Sequence, residues 1–322
     1  AYEIYQCDWS SDVCSSDLAG GVPTDFWNAA TSELSTIKPL LMLAENSDNM
    51  SLLQSAFALN YGWDLQSLMY GVVNRGDSPQ LFNDYVSTQG SLPAGTASMH
   101  FITNHDENSW NGTEFERYGA AVDAMAVLTY TLPGVPLIYN GQEIGLRRRL
   151  AFFEKDAIDW NGGIPRAIYP RLNALKASNS ALDVGANPGK FLAFDTSTNA
   201  VLAFARFRGS DRVVVVLNGT ASTTNGVVTA GGLAGMYRNA VTNTLVKLRP
   251  QTYLPLAGWG YRVLTSDLAG GKTVVPTKLT ASRPKISLRT GQSTRIAPVF
   301  TPREVTDTYL RWSSSEIGRA HV

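Results

Sequence analysis

A chain of 322 residues is long enough for two or three hydrophobic cores, so length excludes only a very small fold. Lysine plus arginine equals aspartate plus glutamate at 27 each, which excludes a strong global field for nucleic acid or an anionic membrane and favours neutral small-molecule or polymeric partners. No apolar run approaches the roughly 18 residues of a membrane-spanning helix, and the start lacks the charged and apolar blocks of a signal peptide.

At the N-terminal end, 1–18 (AYEIYQCDWSSDVCSSDL) shows neither a helical nor a strand period and holds both cysteines, Cys7 and Cys14. DWSSDVCSSDL can be back-translated into DNA that resembles a sequencing-library adapter. The closing IGRAHV, 317–322, can be back-translated into the reverse complement of the DNA for DVCSSD. Unrelated protein ends should not be complementary, so 1–18 and 316–322 are expected to be translated adapter. With those cysteines set aside, neither a disulfide framework nor a cysteine nucleophile remains.

Between 19 and 185, short apolar runs alternate with longer amphipathic stretches, the pattern of βα units around a parallel sheet. The runs are LLMLA at 40–44, FIT at 101–103 and VPLIY at 135–139. Helices are expected at 50–61, 115–132 and 166–182, the second ending at Pro133 and Gly134. From 186 to 267 the pattern changes to alternating β-branched strands (KFLAFDT, AVLAFARFR, DRVVVVLNGT), which predicts a separate all-β domain. A linker, 268–277, leads to 278–315, which reads as further strands too short to close a sandwich.

Two of the apolar runs lead into acids. Glu45 follows LLMLA, and His105 and Asp106 follow FIT, about 60 residues later. In a (β/α) barrel the residues at the strand C-termini face the active site, so carboxylates from non-adjacent strands can converge on one mouth.

These segments carry a family resemblance. FITNHD resembles the motif at the end of the seventh barrel strand of the α-amylase family of glycoside hydrolases, and LLMLAE resembles the fifth-strand motif with its acid/base glutamate. GVPLIYNGQEIG, 134–145, is similar to the eighth-strand segment, and FFEKDAIDW, 152–160, to the loop after it. The resemblance implies an α/β fold class: the C-terminal half of a TIM (β/α)8 barrel at 19–185, followed by an all-β sandwich at 186–267. It implies Glu45 as the catalytic acid/base, and Asp106 and His105 as groups that hold the sugar ring in the transition state. Asn104 and Glu143 follow as substrate-binding candidates, Glu143 with bracing of its loop as the alternative, and no metal-ligating residue is implied.

Such chemistry protonates a poor leaving group while positive charge develops at the sugar carbon, and retention requires a nucleophilic carboxylate roughly 5 to 5.5 Å from the acid. The family's nucleophile sits in an arginine-x-aspartate pattern. Here Asp17 occupies that position but Ser15 stands where arginine is expected, and both lie in the adapter-like segment. The chain alone is therefore expected to be inactive and aggregation-prone. Calcium is a common cofactor of the family whose usual ligands lie in the other half of the barrel, so it is kept only as an option for the complete protein.

The residues KLTASRPKISLRTGQSTRIAPVFTPREVTDTYLRWSSS resemble the start of a bacterial immunoglobulin-like domain, which implies tethering at a cell surface. The partner expected is an α-glucan, starch or maltodextrin, with no nucleic acid and no membrane span. The site is expected to work in the extracellular space or periplasm. Two other readings stay open: a non-catalytic α-amylase-like binding or transport-associated subunit, and a transglycosylase using the same residues.

Overall fold

The computed structural model describes residues 6–7, 13–16, 18–266, 278–281, 287, 289 and 298–301. Its first sheet has six strands in sequence order: β1 (Gln6–Cys7), β2 (Val13–Ser16), β3 (Leu41–Ala44), β4 (Leu59–Tyr61), β5 (Ala97–His100) and β6 (Val135–Pro136). β1 and β2 are antiparallel, and every pair from β2 to β6 is parallel. Helices fill the crossovers: α1 (Thr24–Ile37), α2 (Trp63–Asn74), α3 (Leu81–Gln89), α4 (Glu114–Tyr118), α5 (Val122–Thr131) and, after β6, α6 (Ile168–Ser178). Because β2 to β6 run the same way, their C-terminal ends share one edge.

Three sequence expectations shift. The segment 50–61 is not a helix: Met50–Gln54 makes one 3-10 turn capped by the Asn49 side chain, and Leu59–Tyr61 is a strand. Leu59 pairs with both Leu43 and Ala97, so ladder bonds on two sides override the helical spacing. Asn60 is tolerated there because its side chain accepts a 2.8 Å hydrogen bond from the Ser98 hydroxyl inside the protein. The run 101–103 lies just past the strand, which occupies Ala97–His100. The aperiodic 1–18 nevertheless contributes β1 and β2, since the edge of β3 offers unpaired backbone groups that an extended segment of almost any composition can satisfy.

Lys190 to Ser266 form the all-β part. One antiparallel sheet has the order β13 (Leu245–Leu248), β12 (Gly235–Asn239), β15 (Tyr261–Ser266), β10 (Asp211–Asn218), β9 (Val201–Arg208) and β7 (Lys190–Ala193). The second holds β14 (Gln251–Leu256), β11 (Thr224–Thr229) and β8 (Asp195–Thr196). β9 and β10 are apolar on both faces for a physical reason. Leu202, Phe204, Val213 and Val215 face the helices α2, α5 and α6, whereas Ala203, Ala205, Val214 and Val216 face the second sheet. One continuous core therefore joins the parallel sheet's helices to the sandwich. Buried Arg206 reinforces the join, donating to the carbonyls of Thr131, Asp183 and Gly189.

Of 278–315, β16 (Lys278–Ala281) and β17 (Pro298–Thr301) pair antiparallel. The linker 268–277, the rest of the immunoglobulin-like segment apart from 287 and 289, and 316–322 lie outside the described residues. No helix among the described residues is long and apolar enough to cross a membrane.

His100, at the end of β5, is fully buried, and its Nε2 lies 2.9 Å from the Tyr85 hydroxyl. Gly134 is required beside it, because a Cβ there would sit 2.1 Å from the imidazole. Burial first, and then the charges of Lys176 and Arg206, push the His100 pKa down to about 3 from 6.5. The unfolded chain thus takes up a proton that the folded chain refuses, and stability falls as pH drops from 6.5 towards 3. Buried Glu114 has the opposite sign. Its pKa is raised to about 7 by burial in spite of Arg166, so its contribution is lost as pH rises from 4.5 through 7. A His100→Asn variant should accordingly lose stability less steeply than the parent between pH 6.5 and 4.5 in thermal unfolding, whereas parallel curves would remove His100 from the account.

Candidate active site

The site grows from the common edge of the parallel strands. β3 ends at Ala44 and delivers Glu45, and the chain leaving β5 delivers His105 and Asp106. β4 lies between them in the sheet, so the two acids come from non-adjacent strands. They meet: His105 Nε2 lies 3.9 Å from Glu45 Oε1 and 3.5 Å from Asp106 Oδ2. One polar atom from each of the three residues falls within 4.8 Å of the others. Glu45 is the most enclosed, its side chain 12% exposed against 42% for His105 and 31% for Asp106. A deep carboxyl beside two more open polar groups suits a proton donor flanked by hydroxyl-binding groups.

A single turn of π-helix, Glu107–Asn111, follows Asp106 and sets its direction, as such turns often do at functional sites. The turn is pinned by buried Glu107, whose carboxylate accepts from Gln66 Nε2 at 2.9 Å and Asn111 Nδ2 at 3.0 Å and pairs with Arg117 at 2.8 Å. Asn104 lies on the inner side of this turn. It is 1% exposed, and its side-chain oxygen accepts from the Glu107 amide at 2.8 Å. Glu143 sits in the 3-10 turn Gln142–Ile144, where its carbonyl accepts from the Arg166 amide and its buried Oε2 has no hydrogen-bond partner among the described residues. Glu45, His105 and Asp106 are brought together, while the Asn104 side chain is turned to the start of the π-turn that follows them. Asp17 lies outside the described residues. Trp27, a candidate for sugar stacking by its chemistry, is instead fully buried, with Nε1 donating to the Ala19 carbonyl.

Other residues at the site were not singled out by sequence reasoning. Tyr139, three residues past β6, has its phenol pKa raised by burial and then by the negative charges of Asp106 and Asp156. Phe152 packs its ring 5.7 Å from that of His105. The signals were present, as the tyrosine in VPLIY and the adjacent aromatics of FFEKD, but neither has a periodicity that marks it as facing an acid.

No family model matches the chain. Over 237 residues it is 27% identical to the α-amylase MalA of Haloarcula japonica, a match covering 70% of this chain and 34% of MalA. The chain thus spans about a third of the length of that curated relative. Among solved structures, the noncanonic maltogenic α-amylase AmyB from Thermotoga neapolitana superposes with a TM-score of 0.66 at 20% identity, covering 79% of this chain and 60% of that one. An α-amylase from Lactobacillus plantarum gives 0.64 at 19% identity, over 80% and 63%. A structure of AmyP in complex with maltose gives 0.62 at 15% identity, over 80% and 64%.

The chain is similar to α-amylases in sequence and in fold.

Its fold is that of these α-amylase structures, a parallel barrel sheet with its helices followed by an antiparallel sandwich. Calcium, which the α-amylase family commonly carries, takes roughly six to eight oxygen ligands. Among the described residues, Glu45, His105 and Asp106 are the one set of three candidate metal-binding side chains close enough to share an ion. An imidazole is a poor ligand for that hard cation, so this set does not fit calcium.

Proposed function

We propose that the complete protein is a retaining glycoside hydrolase that acts on α-1,4-linked glucans, starch and maltodextrin. This chain carries the acid/base and sugar-holding side of its site. The observation that carries the reading is the convergence of Glu45, His105 and Asp106 from two non-adjacent strands of an α-amylase-family sheet. The α-amylase names of its relatives support the substrate class.

In the first step Glu45 gives its proton to the glycosidic oxygen, the leaving sugar departs, and the carboxylate so formed later takes a proton from water. Asp106 and His105 hold hydroxyls of the sugar ring. They accelerate the step to the extent that these hydrogen bonds tighten as the ring distorts. The nucleophilic carboxylate is supplied by a strand preceding Ala19, within an arginine-x-aspartate pattern. The segments 1–18 and 316–322 are foreign to the protein, and 278–315 begins an immunoglobulin-like module that tethers the enzyme. Polymeric glucan does not cross a membrane unaided, so the enzyme works in the extracellular space or periplasm.

Two measurements test the reading. Genomic DNA upstream of Ala19 is expected to encode the arginine-x-aspartate pattern. The complete gene product is expected to release α-configured maltooligosaccharides from amylose. Failure to cleave amylose, pullulan and cyclodextrin, together with an upstream sequence lacking that aspartate, would leave a non-catalytic subunit instead.

A further inference from the structure

The loop that leaves β6 is held by a residue the mechanism does not use. Leu137 continues the register of the strand, its amide donating to the His100 carbonyl at 2.8 Å. Its side chain packs with Leu43, Leu59 and Met99 on one face of the sheet, and that of Ile138 packs among the helices on the other. Alternation therefore returns Tyr139 to the face of Leu137. β6 neighbours β5 in the sheet, so this tyrosine stands at the common edge beside the chain that delivers Asp106. The rise in its phenol pKa, caused by burial and then by the charges of Asp106 and Asp156, agrees with that place.

Both backbone polar groups of Tyr139 are taken by Gln142. The Gln142 amide donates to the Tyr139 carbonyl at 2.9 Å, and the Tyr139 amide donates to Gln142 Oε1 at 2.9 Å. Gly141 makes this tight turn possible at φ 88°, where a Cβ would also meet the Leu146 side chain at 2.8 Å. A backbone amide can only donate, so the Gln142 carboxamide has one orientation, with Nε2 donating to the Tyr169 hydroxyl of α6. That hydroxyl also accepts from Arg166 Nη1 at 3.2 Å, and Arg166 pairs with Glu114 of α4 and Asp123 of α5. Gln142 and Tyr169 are buried, and hydrogen bonds are stronger in that setting than in water. A chain of polar contacts thus runs from three helices to the backbone of one tyrosine at the site.

We propose that Gln142 is a positioning residue of the site: anchored by Tyr169, it fixes Tyr139 beside the Asp106 carboxylate and so sets where that sugar-holding acid points. With Tyr139 displaced, Asp106 has room to turn away from the hydroxyls it holds. A misplacement of about 1 Å caused away from the chemistry can cost about 10²-fold in rate. This inference rests on the glycoside-hydrolase reading, and its test separates the two.

kcat and KM on soluble starch are measured for the complete protein and for Gln142→Leu, Gln142→Glu, Tyr139→Ala and the double variant Tyr139→Ala with Gln142→Leu. Assays are run well below the unfolding temperature, with circular dichroism to confirm folding. Gln142→Leu is expected to lower kcat/KM about 10- to 100-fold. Gln142→Glu is expected to stay within a few-fold of the parent, because its carboxylate can accept from both the Tyr139 amide and the Tyr169 hydroxyl. Adding Gln142→Leu to Tyr139→Ala should cost nothing further, since a residue that acts through another loses its effect once the other is gone. Should Gln142→Leu fail to fold, Tyr169→Phe, which removes only a hydroxyl, takes its place in the same cycle. Tyr130→Phe is the stability control. It removes a hydroxyl that donates to Asn173 between α5 and α6, and should lower the unfolding temperature without changing kcat/KM. Losses that multiply in the double variant, or parent-like kcat/KM in Gln142→Leu, would overturn the positioning role and leave the hydrolase reading standing. Starch left uncleaved by the parent would overturn the hydrolase reading and the positioning role with it.

Discussion

Replacing Glu45 by glutamine in the complete protein is expected to lower kcat on soluble starch by about 10²- to 10⁴-fold, the usual contribution of a positioned general acid. Glutamine keeps the size of the side chain, so the neighbourhood of His105, 3.9 Å away, and of Asp106 survives. What disappears is the transferable proton. The affinity for maltotriose should stay within a few-fold of the parent, because the proton is needed in the transition state and hardly in the bound ground state. Leaving groups that depart without protonation, such as fluoride, should recover much of the first step. Unchanged turnover of starch by Glu45→Gln would remove this residue from the chemistry.

A second large effect is expected on stability. Glu107→Ala should cost about 3 to 5 kcal/mol in urea unfolding, since removing one member of a buried ion pair strands the other. Glu107 and Arg117 side chains are only 8% and 12% exposed, and the same carboxylate also serves Gln66 and Asn111. Arg117 keeps its place over the Tyr70 ring, 4.7 Å from the centroid, but its charge is left without its carboxylate. Glu107→Gln retains the shape and some of the hydrogen bonds, and should lose less than Glu107→Ala. Equal losses in the two variants would mean that charge alone, and not shape, holds the turn. Because this turn directly follows His105 and Asp106, both variants should also weaken maltotriose binding, a readout that a residue serving stability elsewhere would not move.

The convergence of the candidate residues was legible in the sequence because they follow strand ends. LLMLA and FIT are apolar runs that stop abruptly at polar residues. A strand that stops at an acid on the C-terminal edge of a parallel sheet has few places to put it except the common mouth. The sandwich was legible for a similar reason: DRVVVVLNGT and AVLAFARFR are too short and too β-branched for helices. The strand Leu59–Tyr61 was not legible. Its three residues carry an asparagine at the centre, and its buried partner Ser98 lies 38 residues away, so nothing local announces it. Nor could spacing show that Glu107, adjacent to Asp106, points into a buried network while Asp106 points to the mouth. That division is made by the π-turn, which re-aims successive side chains in a way no helical or strand period describes. The pairing of β1 and β2 depends on an edge that other residues provide, and it was equally hidden.

The central claim is that Glu45 and Asp106 meet around one sugar ring with His105 between them. The most direct measurement follows the His105 imidazole by nuclear magnetic resonance while maltotriose is added to the labelled complete protein. The account predicts a saturable shift of His105 that Asp106→Asn or Glu45→Gln alters and that cellotriose does not produce. A His105 resonance that stays fixed at saturating maltotriose, while signals elsewhere in the chain move, would contradict it.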